Sequence, residues 1–293
     1  VQHLTSDGGV CKTLLRAGSG QRVPPDASVA VRYAGYLGNW KSFFCSNMHD
    51  KDPKLMKLGK DITLLGLELG LLSMAKGEVA HFSFAPCYAY GQRGCPPRIP
   101  PDSTVFFEVE VLDFIDSAEC DAFFELREEQ QDMFPLEKVL KVAATEREFG
   151  NYYFHKQNFR VAKRRYKRAL SILDRSSSSE AEQNQINTSK VLLLLNLSLT
   201  YLKLEHPKQA LKYGEMALKM DPGNAKALFR CGQACLLMRD YSKSRDFLVR
   251  AQCVQPFNRD INNALKNLAR SCTEYMAMQE EMCCRMFGRL RSS

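Results

Sequence analysis

Only one tryptophan, Trp40, occurs among the 293 residues, and no apolar stretch is long enough to cross a bilayer. The longest aliphatic run, Val191 to Leu195, stops at Asn196, and the Gly-rich stretch from Leu64 to Ala75 is interrupted by Glu68. Both fall short of the roughly 18 apolar residues a spanning helix needs, so neither a transmembrane helix nor a membrane partner is expected. No basic, apolar leader follows Val1, and the expectation is an intracellular protein, cytoplasmic and extending to the nucleus. Cysteine is plentiful but lacks a framework: the eleven residues are odd in number and scattered from Cys11 to Cys284, as reduced thiols are. Cys231 and Cys235 are four apart and Cys283 and Cys284 adjacent, yet neither pair has the second Cys or His pair of a tetrahedral zinc site. No metal and no cofactor are expected. The five histidines, His3, His49, His81, His155 and His206, form no Ser or Cys constellation, which removes hydrolytic chemistry.

What is present is material for packed cores, with 45% apolar and 25% charged residues in a length that suits two domains. Residues 1–118 carry 12 Lys or Arg against 12 Asp or Glu, leaving 29 against 21 for the remainder, so the net +8 belongs to the C-terminal part. The pattern changes at the same place. Before Asp116 the chain alternates with period two: Val29, Val31 and Tyr33 share one face, and Phe107, Val109 and Val111 face away from Glu108 and Glu110. One helix-like segment, Gly66 to Met74, interrupts these strands. Cys120 to Gln131 is compatible with one helix, Pro135 suits a helix start, and everything beyond reads as helical. The expected class is α+β.

An internal repeat is legible. Leu197, Ser198, Leu202, Tyr213, Ala217 and Pro222 recur 34 residues later as Cys231, Gly232, Leu236, Phe247, Ala251 and Pro256. Gly150, Tyr153, Ala162 and Ala169 match Ser198, Tyr201, Ala210 and Ala217 at an offset of 48, which is 34 plus a polar insert of 14 around Ser176 to Thr188. Small residues at Gly150, Ser198 and Gly232, and at Ala169, Ala217 and Ala251, allow paired antiparallel helices to approach closely. This period, with its small residues and closing Pro, resembles the tetratricopeptide repeat. The expected organisation is residues 1–116 as the strand domain, 117–134 as a helical connector, and three repeats within 135–256, at about 138–175, 191–224 and 225–258. A capping helix over 257–288, carrying Ala264, Leu265, Leu268, Cys272, Tyr275, Met276 and Met282, is expected to cover the last repeat.

In such solenoids the first helices of successive repeats line a concave surface. Asn196 and Arg230 are one period apart, while Lys226 precedes Arg230, and Arg147 precedes Asn151, by four residues, which places each pair on one side of its helix. Five donors are thereby expected to converge: two Asn amides able to hold a terminal carboxylate and three cations able to form charge-assisted bonds. The constellation looks like the two-carboxylate clamp of tetratricopeptide co-chaperones. That resemblance implies a partner, the Glu-Glu-Val-Asp tail of the ninety-kilodalton and also the seventy-kilodalton cytosolic heat-shock chaperones. Arg147 stands where the family usually has Lys, which keeps the charge and changes the donor geometry.

In the strand domain, Tyr33-Ala34-Gly35-Tyr36-Leu37, Leu58-Gly59-Lys60, Tyr88-Ala89-Tyr90-Gly91, Ile99-Pro100-Pro101 and Phe106-Phe107-Glu108-Val109 stand in the order of the FKBP-type prolyl isomerase fold, over roughly residues 10–116. The resemblance implies an apolar, aromatic-walled pocket that desolvates an X-Pro amide, lowering a barrier of roughly 18–20 kcal/mol set by amide resonance. Carried onto this chain, the retained pocket positions are Tyr33, Phe43, Tyr90, Ile99 and Phe107, with Leu64 a conservative substitute. The departures are Leu67 at the floor position where the family has Trp, Phe44 in place of Asp, Lys54 in place of an aromatic wall residue, and Cys95 and Arg98 at the rim. Loss of the indole removes stacking area, and two cations oppose desolvation of the amide. Trp40 falls in the preceding loop and is not expected to substitute for the missing floor.

These features together imply a non-enzymatic adaptor related to inactive FKBP immunophilins, whose repeats hold a chaperone tail and whose degenerate domain docks other proteins. Two alternatives are an active prolyl isomerase, kept open by Tyr90, Phe43 and Phe107, and a basic RNA-binding scaffold built on Arg160, Lys163, Arg164, Arg165, Lys167 and Arg168. That basic run also carries Val161, Ala162, Tyr166, Ala169 and Leu170 at helical spacing, so it reads as a repeat helix with a solvated basic face, and nucleic acid is not the expected partner.

Overall fold

The computed structural model of the chain describes residues 1–38, 40, 43–175 and 179–290, with side chains through 285. It divides into two compact units, Val1–Met133 and Phe134–Ser293. The first is built from β1 (Gln2–His3), β2 (Val10–Arg16), β3 (Ser19–Arg22), β4 (Ser28–Leu37), β5 (Phe43–Ser46), β6 (Leu55–Lys57), α1 (Leu65–Leu72), β7 (Ala75–Lys76), β8 (Val79–Phe84), β9 (Val105–Ile115), α2 (Ala118–Glu125) and α3 (Glu128–Asp132). Among the described residues the main sheet runs β1-β2-β8-β9-β4-β5, with β6 also on β4, and every pairing in it is antiparallel.

Period-two patterning explains the central strands. Ala80, Phe82 and Phe84 of β8 and Val105, Phe107, Val109 and Val111 of β9 are buried on one side, while His81, Ser83, Glu108 and Glu110 alternate outward. The register sets Phe82 opposite Phe107, and the Phe84 and Phe107 rings lie 5.4 Å apart. Helix α1 is able to lie against this face because Gly66 has no side chain: a Cβ there would stand 2.6 Å from the Phe84 ring. Strand β4 departs from simple alternation. Val29, Ala30 and Val31 are all buried, because the β4–β9 register shifts between Ala30 and Val31 and the start of β4 lies between β6 and β9.

The segment after β9 is two helices rather than one, interrupted at Leu126 and Arg127. Helix α2 is fastened to the strand unit: the Ser28 and Ser117 hydroxyls share a buried 2.9 Å hydrogen bond, Lys57 Nζ donates to Asp121 Oδ2 at 2.5 Å, and Lys60 pairs with Glu125 at 2.7 Å. Cys120 and Phe123 supply its buried face.

The second unit contains α4 (Leu136–His155), α5 (Phe159–Ile172), α6 (Glu180–Lys203), α7 (Pro207–Met220), α8 (Ala225–Leu237), α9 (Tyr241–Val254) and α10 (Arg259–Leu290). The helices start where their caps require. Asn158, Ser179, Asn224 and Asp240 accept the backbone N–H of Val161, Glu182, Ala227 and Lys243, and Pro207 opens α7. Helices pair as α4 with α5, α6 with α7 and α8 with α9, one antiparallel pair for each copy of the period. The small residues sit at the contacts: Ala169, Ala217 and Ala251 are fully buried, and Ser198 Oγ and Ser244 Oγ donate to the carbonyls of Ala210 and Gly232 at 2.8 Å. The second repeat's first helix begins at Glu180, ahead of the expected 191, so most of the polar insert is helical and lengthens α6; its start at Ser176 lies outside the described residues. Ile261 and Leu268 bury the near half of α10, whereas Met276 to Arg285 is exposed.

Candidate functional site

In the strand unit, the residues expected to enclose a proline ring are partly assembled. Ile99, Phe107 and Leu67 are buried, Tyr33, Leu64 and Tyr90 are half-buried around the same core, and the Tyr33 and Phe107 rings lie 6.3 Å apart. The Tyr33 backbone is held by Asn47, whose Oδ1 accepts from Tyr33 N at 2.6 Å while its Nδ2 donates to the Val31 carbonyl at 2.9 Å. Burial pushes the Tyr90 hydroxyl up to about 12, with Cys45, Cys95 and Tyr33 adding to the shift.

One pocket position differs from expectation. Phe43 does not line the pocket, since its side chain is 57% exposed. Phe44 turns inward instead, packing edge-on against Tyr90 at 6.0 Å and Phe107 at 5.8 Å. Neighbouring residues of a strand point to opposite sides, and the register shift between Gly35 and Tyr36 in the β4–β5 pairing selects Phe44 for the inner one. A phenyl ring therefore packs into the aromatic wall at a position where the resemblance implies a carboxylate. Leu67 supplies no flat floor, and Lys54, Cys95 and Arg98 are exposed. Trp40 lies away from this wall: its ring stacks on His81 at 4.1 Å, beside Tyr36 and Phe106, and His81 and Phe106 alternate with the buried Phe82 and Phe107.

In the helical unit, four of the five donors meet around Tyr166, whose helical spacing alone suggests only a core residue. The Tyr166 hydroxyl of α5, in a side chain 2% exposed, donates to Asn151 Oδ1 of α4 at 2.8 Å, and Asn196 Nδ2 of α6 donates to the same oxygen at 3.2 Å. Arg230 of α8 reaches α6, where its Nη1 donates to the Leu195 carbonyl at 2.6 Å. Burial pushes the Tyr166 hydroxyl up to about 12, opposed by the charges of Arg147 and Arg230. Burial likewise lowers the Arg230 pKa, opposed by Tyr166. Lys226 stands apart, exposed in the first turn of α8, one turn before Arg230. Among the described residues, none of Arg147, Lys226 and Arg230 has a carboxylate within ion-pair distance. The result is a cationic, donor-rich surface on the first helices of three repeats, suited to an anion.

Tyr166 had a detectable signal. Its equivalents at the repeat offsets, Gly214 and Leu248, are not hydroxylic, so a buried phenol at this position departs from the period. Gly150 makes room for it: a Cβ at Gly150 would stand 2.3 Å from the Tyr166 ring.

The basic run on α5 is not a simply solvated face. Arg165 Nη1 lies 2.9 Å, and Arg168 Nη1 3.6 Å, from Oε1 of Glu146, a side chain 1% exposed. Arg165 also covers the Phe149 ring at 4.4 Å, while Lys163 and Lys167 lie 5.7 and 5.8 Å from the Tyr201 ring centroid. A buried carboxylate draws the arginines inward, which removes charge from the surface a polyanion would touch.

The family described as FKBP-type peptidyl-prolyl cis-trans isomerase matches residues 20–112. A protein of Bos taurus named inactive peptidyl-prolyl cis-trans isomerase FKBP6 is 61% identical over 285 residues, covering 97% of this chain and 87% of its own. The chain belongs to the FKBP family. A Homo sapiens relative of the same name is 60% identical over 285 residues, covering 97% of this chain and 87% of its own. The crystal structure of a multi-domain immunophilin from Arabidopsis thaliana is similar at 25% identity and a TM-score of 0.42, covering 85% of this chain and 95% of that one. Within the family this chain stands with relatives named as inactive isomerases.

Proposed function

We propose that this FKBP-family protein is a non-enzymatic co-chaperone of the cytoplasm. Its repeats hold the acidic Glu-Glu-Val-Asp tail of a ninety-kilodalton heat-shock chaperone, and its altered FKBP domain serves as a docking surface for other proteins. The observation that carries the reading is the shared setting of Arg147, Asn151, Asn196 and Arg230 around Tyr166, with a half-buried guanidinium that lacks a carboxylate among the described residues. A terminal carboxylate supplies the missing anion, Asn151 and Asn196 supply neutral donors to it, and Lys226 together with Arg147 reaches a second carboxylate along the peptide.

Calorimetry on the full chain tests this. A peptide ending in free Glu-Glu-Val-Asp is expected to bind, and its C-terminal amide is expected not to. At about 1.5–3 kcal/mol for each charged contact, Lys226→Ala weakens binding roughly ten- to a hundredfold. Lys226 is the cleaner probe because it is exposed, whereas Arg230→Ala also removes the bond to Leu195. Added salt weakens the complex because both partners are charged. Equal binding of the acid and the amide, or an unchanged affinity in Lys226→Ala, rejects the assignment.

A further inference from the structure

The two hydrogen bonds that meet on Asn151 Oδ1 decide more than local stability. A side-chain amide has one acceptor end and one donor end, which diverge from the same carbon. Here the acceptor end is taken twice, by the Tyr166 hydroxyl at 2.8 Å and by Asn196 Nδ2 at 3.2 Å. Reversing the amide would bring Nδ2 of Asn151 against Nδ2 of Asn196, donor against donor. We infer that Tyr166 is a positioning residue, fixing Asn151 with its NH2 toward the ligand so that this position of the clamp offers a donor and no acceptor, favouring a free C-terminal carboxylate over a C-terminal amide. The inference rests on the clamp reading above and names the source of its specificity.

The surroundings suit this role. The Tyr166 side chain is 2% exposed, so its hydroxyl does not exchange Asn151 for bulk water. Its pKa of about 12 keeps it a neutral donor throughout the neutral range. The flanking guanidiniums, Arg147 and Arg230, are donors with no acceptor atom, so neither restores an acceptor to the surface. At Asn151, Arg147 and Arg230 a carboxylate meets donors; a terminal amide brings its own N–H groups to these same positions, where nothing receives them, and an unpaired buried donor costs more than a lost hydrogen bond.

The test is calorimetry of the full chain with two probes, the Glu-Glu-Val-Asp peptide as free acid and as amide, on wild type, Tyr166→Phe, Asn151→Ala and Asn151→Asp. Tyr166→Phe removes one hydroxyl, and its melting temperature checks folding. Freed from Tyr166, the Asn151 amide turns, so free-acid affinity falls roughly five- to tenfold while amide binding is unchanged or improved, narrowing the selectivity. Asn151→Asp keeps both inward bonds and aims an acceptor outward, so it lowers free-acid affinity further than Asn151→Ala. This second variant decides the matter if Tyr166→Phe fails to fold. The inference is overturned, with the clamp left standing, if Tyr166→Phe lowers both peptides equally or neither, or if Asn151→Asp is no worse than Asn151→Ala. If wild type does not prefer the free acid, the clamp reading fails and the inference falls with it.

Discussion

Arg165→Ala is expected to be among the most damaging single changes on the surface of the helical unit, although it deletes a side chain from what reads in sequence as a basic solvent face. The Glu146 carboxylate is 1% exposed, and Arg165 Nη1 lies 2.9 Å from its Oε1. Removing one partner of a buried pair costs about 3–5 kcal/mol, because the remaining charge is stranded in a poor solvent. Arg168, at 3.6 Å, stays to neutralise part of that charge, while the contact of Arg165 with the Phe149 ring at 4.4 Å is lost as well. A net loss of about 2–4 kcal/mol is expected, which for a unit of this size lowers the melting temperature by roughly 4–16 °C at ~2–4 °C per kcal/mol. The sign is not the same in both directions. Glu146→Leu removes the buried charge and leaves Arg165, already 27% exposed, free to reach water, so it costs less. Glu146→Leu combined with Arg165→Leu recovers most of the loss, since an apolar replacement of a buried pair is often neutral or better. Urea and thermal unfolding of the full chain, followed by helical circular dichroism, measure the cycle. A loss below about 0.5 kcal/mol in Arg165→Ala, or a double variant no better than that single one, would refute the reasoning.

Further outcomes follow from the same geometry. Isomerisation of X-Pro peptides is expected at background in wild type and also in Leu67→Trp, because Leu67 is 6% exposed in a packed core and an indole there overfills it by about 1–3 kcal/mol; a coupled isomerase assay and a melting curve check both halves. Gly150→Ala forces a Cβ to within 2.3 Å of the Tyr166 ring, so it lowers both the melting temperature and affinity for the free-acid peptide, whereas Gly223→Ala, with only Asp221 Oδ1 at 4.0 Å, does neither. Tyr90 and Tyr166 have folded pKa values raised from 10.0 to about 12, so folding favours their neutral forms. The stability this gives is complete below about 10 and is lost as pH rises toward about 12; ultraviolet titration should show both ionising late, and ionisation near 10 in the folded chain would contradict their burial. Cys231 and Cys235 are buried, with thiols pushed up to about 12 and about 11, and should resist alkylation at neutral pH while exposed Cys87, Cys95 and Cys253 react. Mass mapping distinguishes the two groups.

The strand unit was legible where one physical rule acts alone. Alternation in β8 and β9 corresponds to their buried faces, because both are central strands with one side on the core. It was less legible in β4, where a register shift and coverage by neighbours bury Val29, Ala30 and Val31 in succession. The Phe43 and Phe44 pair shows the same limit. Both are aromatic, so composition does not say which faces inward; the register of β5 on β4 decides, and register depends on residues distant in sequence. A pocket carried over by motif order alone therefore places both rings at the wall, where the structure keeps only Phe44.

In the helical unit the period carried more information than its matched positions. Glu146, moved by 48 and then by 34 residues, falls on Leu194 and Leu228, both 1% exposed. A carboxylate at a position that is leucine in two other repeats must be buried, and a buried carboxylate must draw cations from a neighbouring helix. Arg165 and Arg168 lie within reach on α5, so the basic run had a structural use visible before any coordinates. Tyr166 follows by the same comparison, since Gly214 and Leu248 hold its place elsewhere and Gly150 opposes it. Sequence alone does not say that a phenol so placed donates to Asn151 rather than to a backbone carbonyl, because that depends on how α4 sits against α5 to within an ångström. The departures from a repeat are where its first unit stops being only a scaffold. In this chain two of them, a buried acid and a buried phenol, adjoin residues proposed to hold the chaperone tail: Glu146 precedes Arg147 in sequence, and Tyr166 bonds Asn151. If the first repeat has no binding role, exchanging Glu146, Arg165 and Tyr166 together for leucine, tyrosine and leucine, each drawn from another repeat, should leave peptide affinity unchanged. The geometry instead predicts a chain that still folds and has lost roughly fivefold or more in affinity for the free-acid peptide.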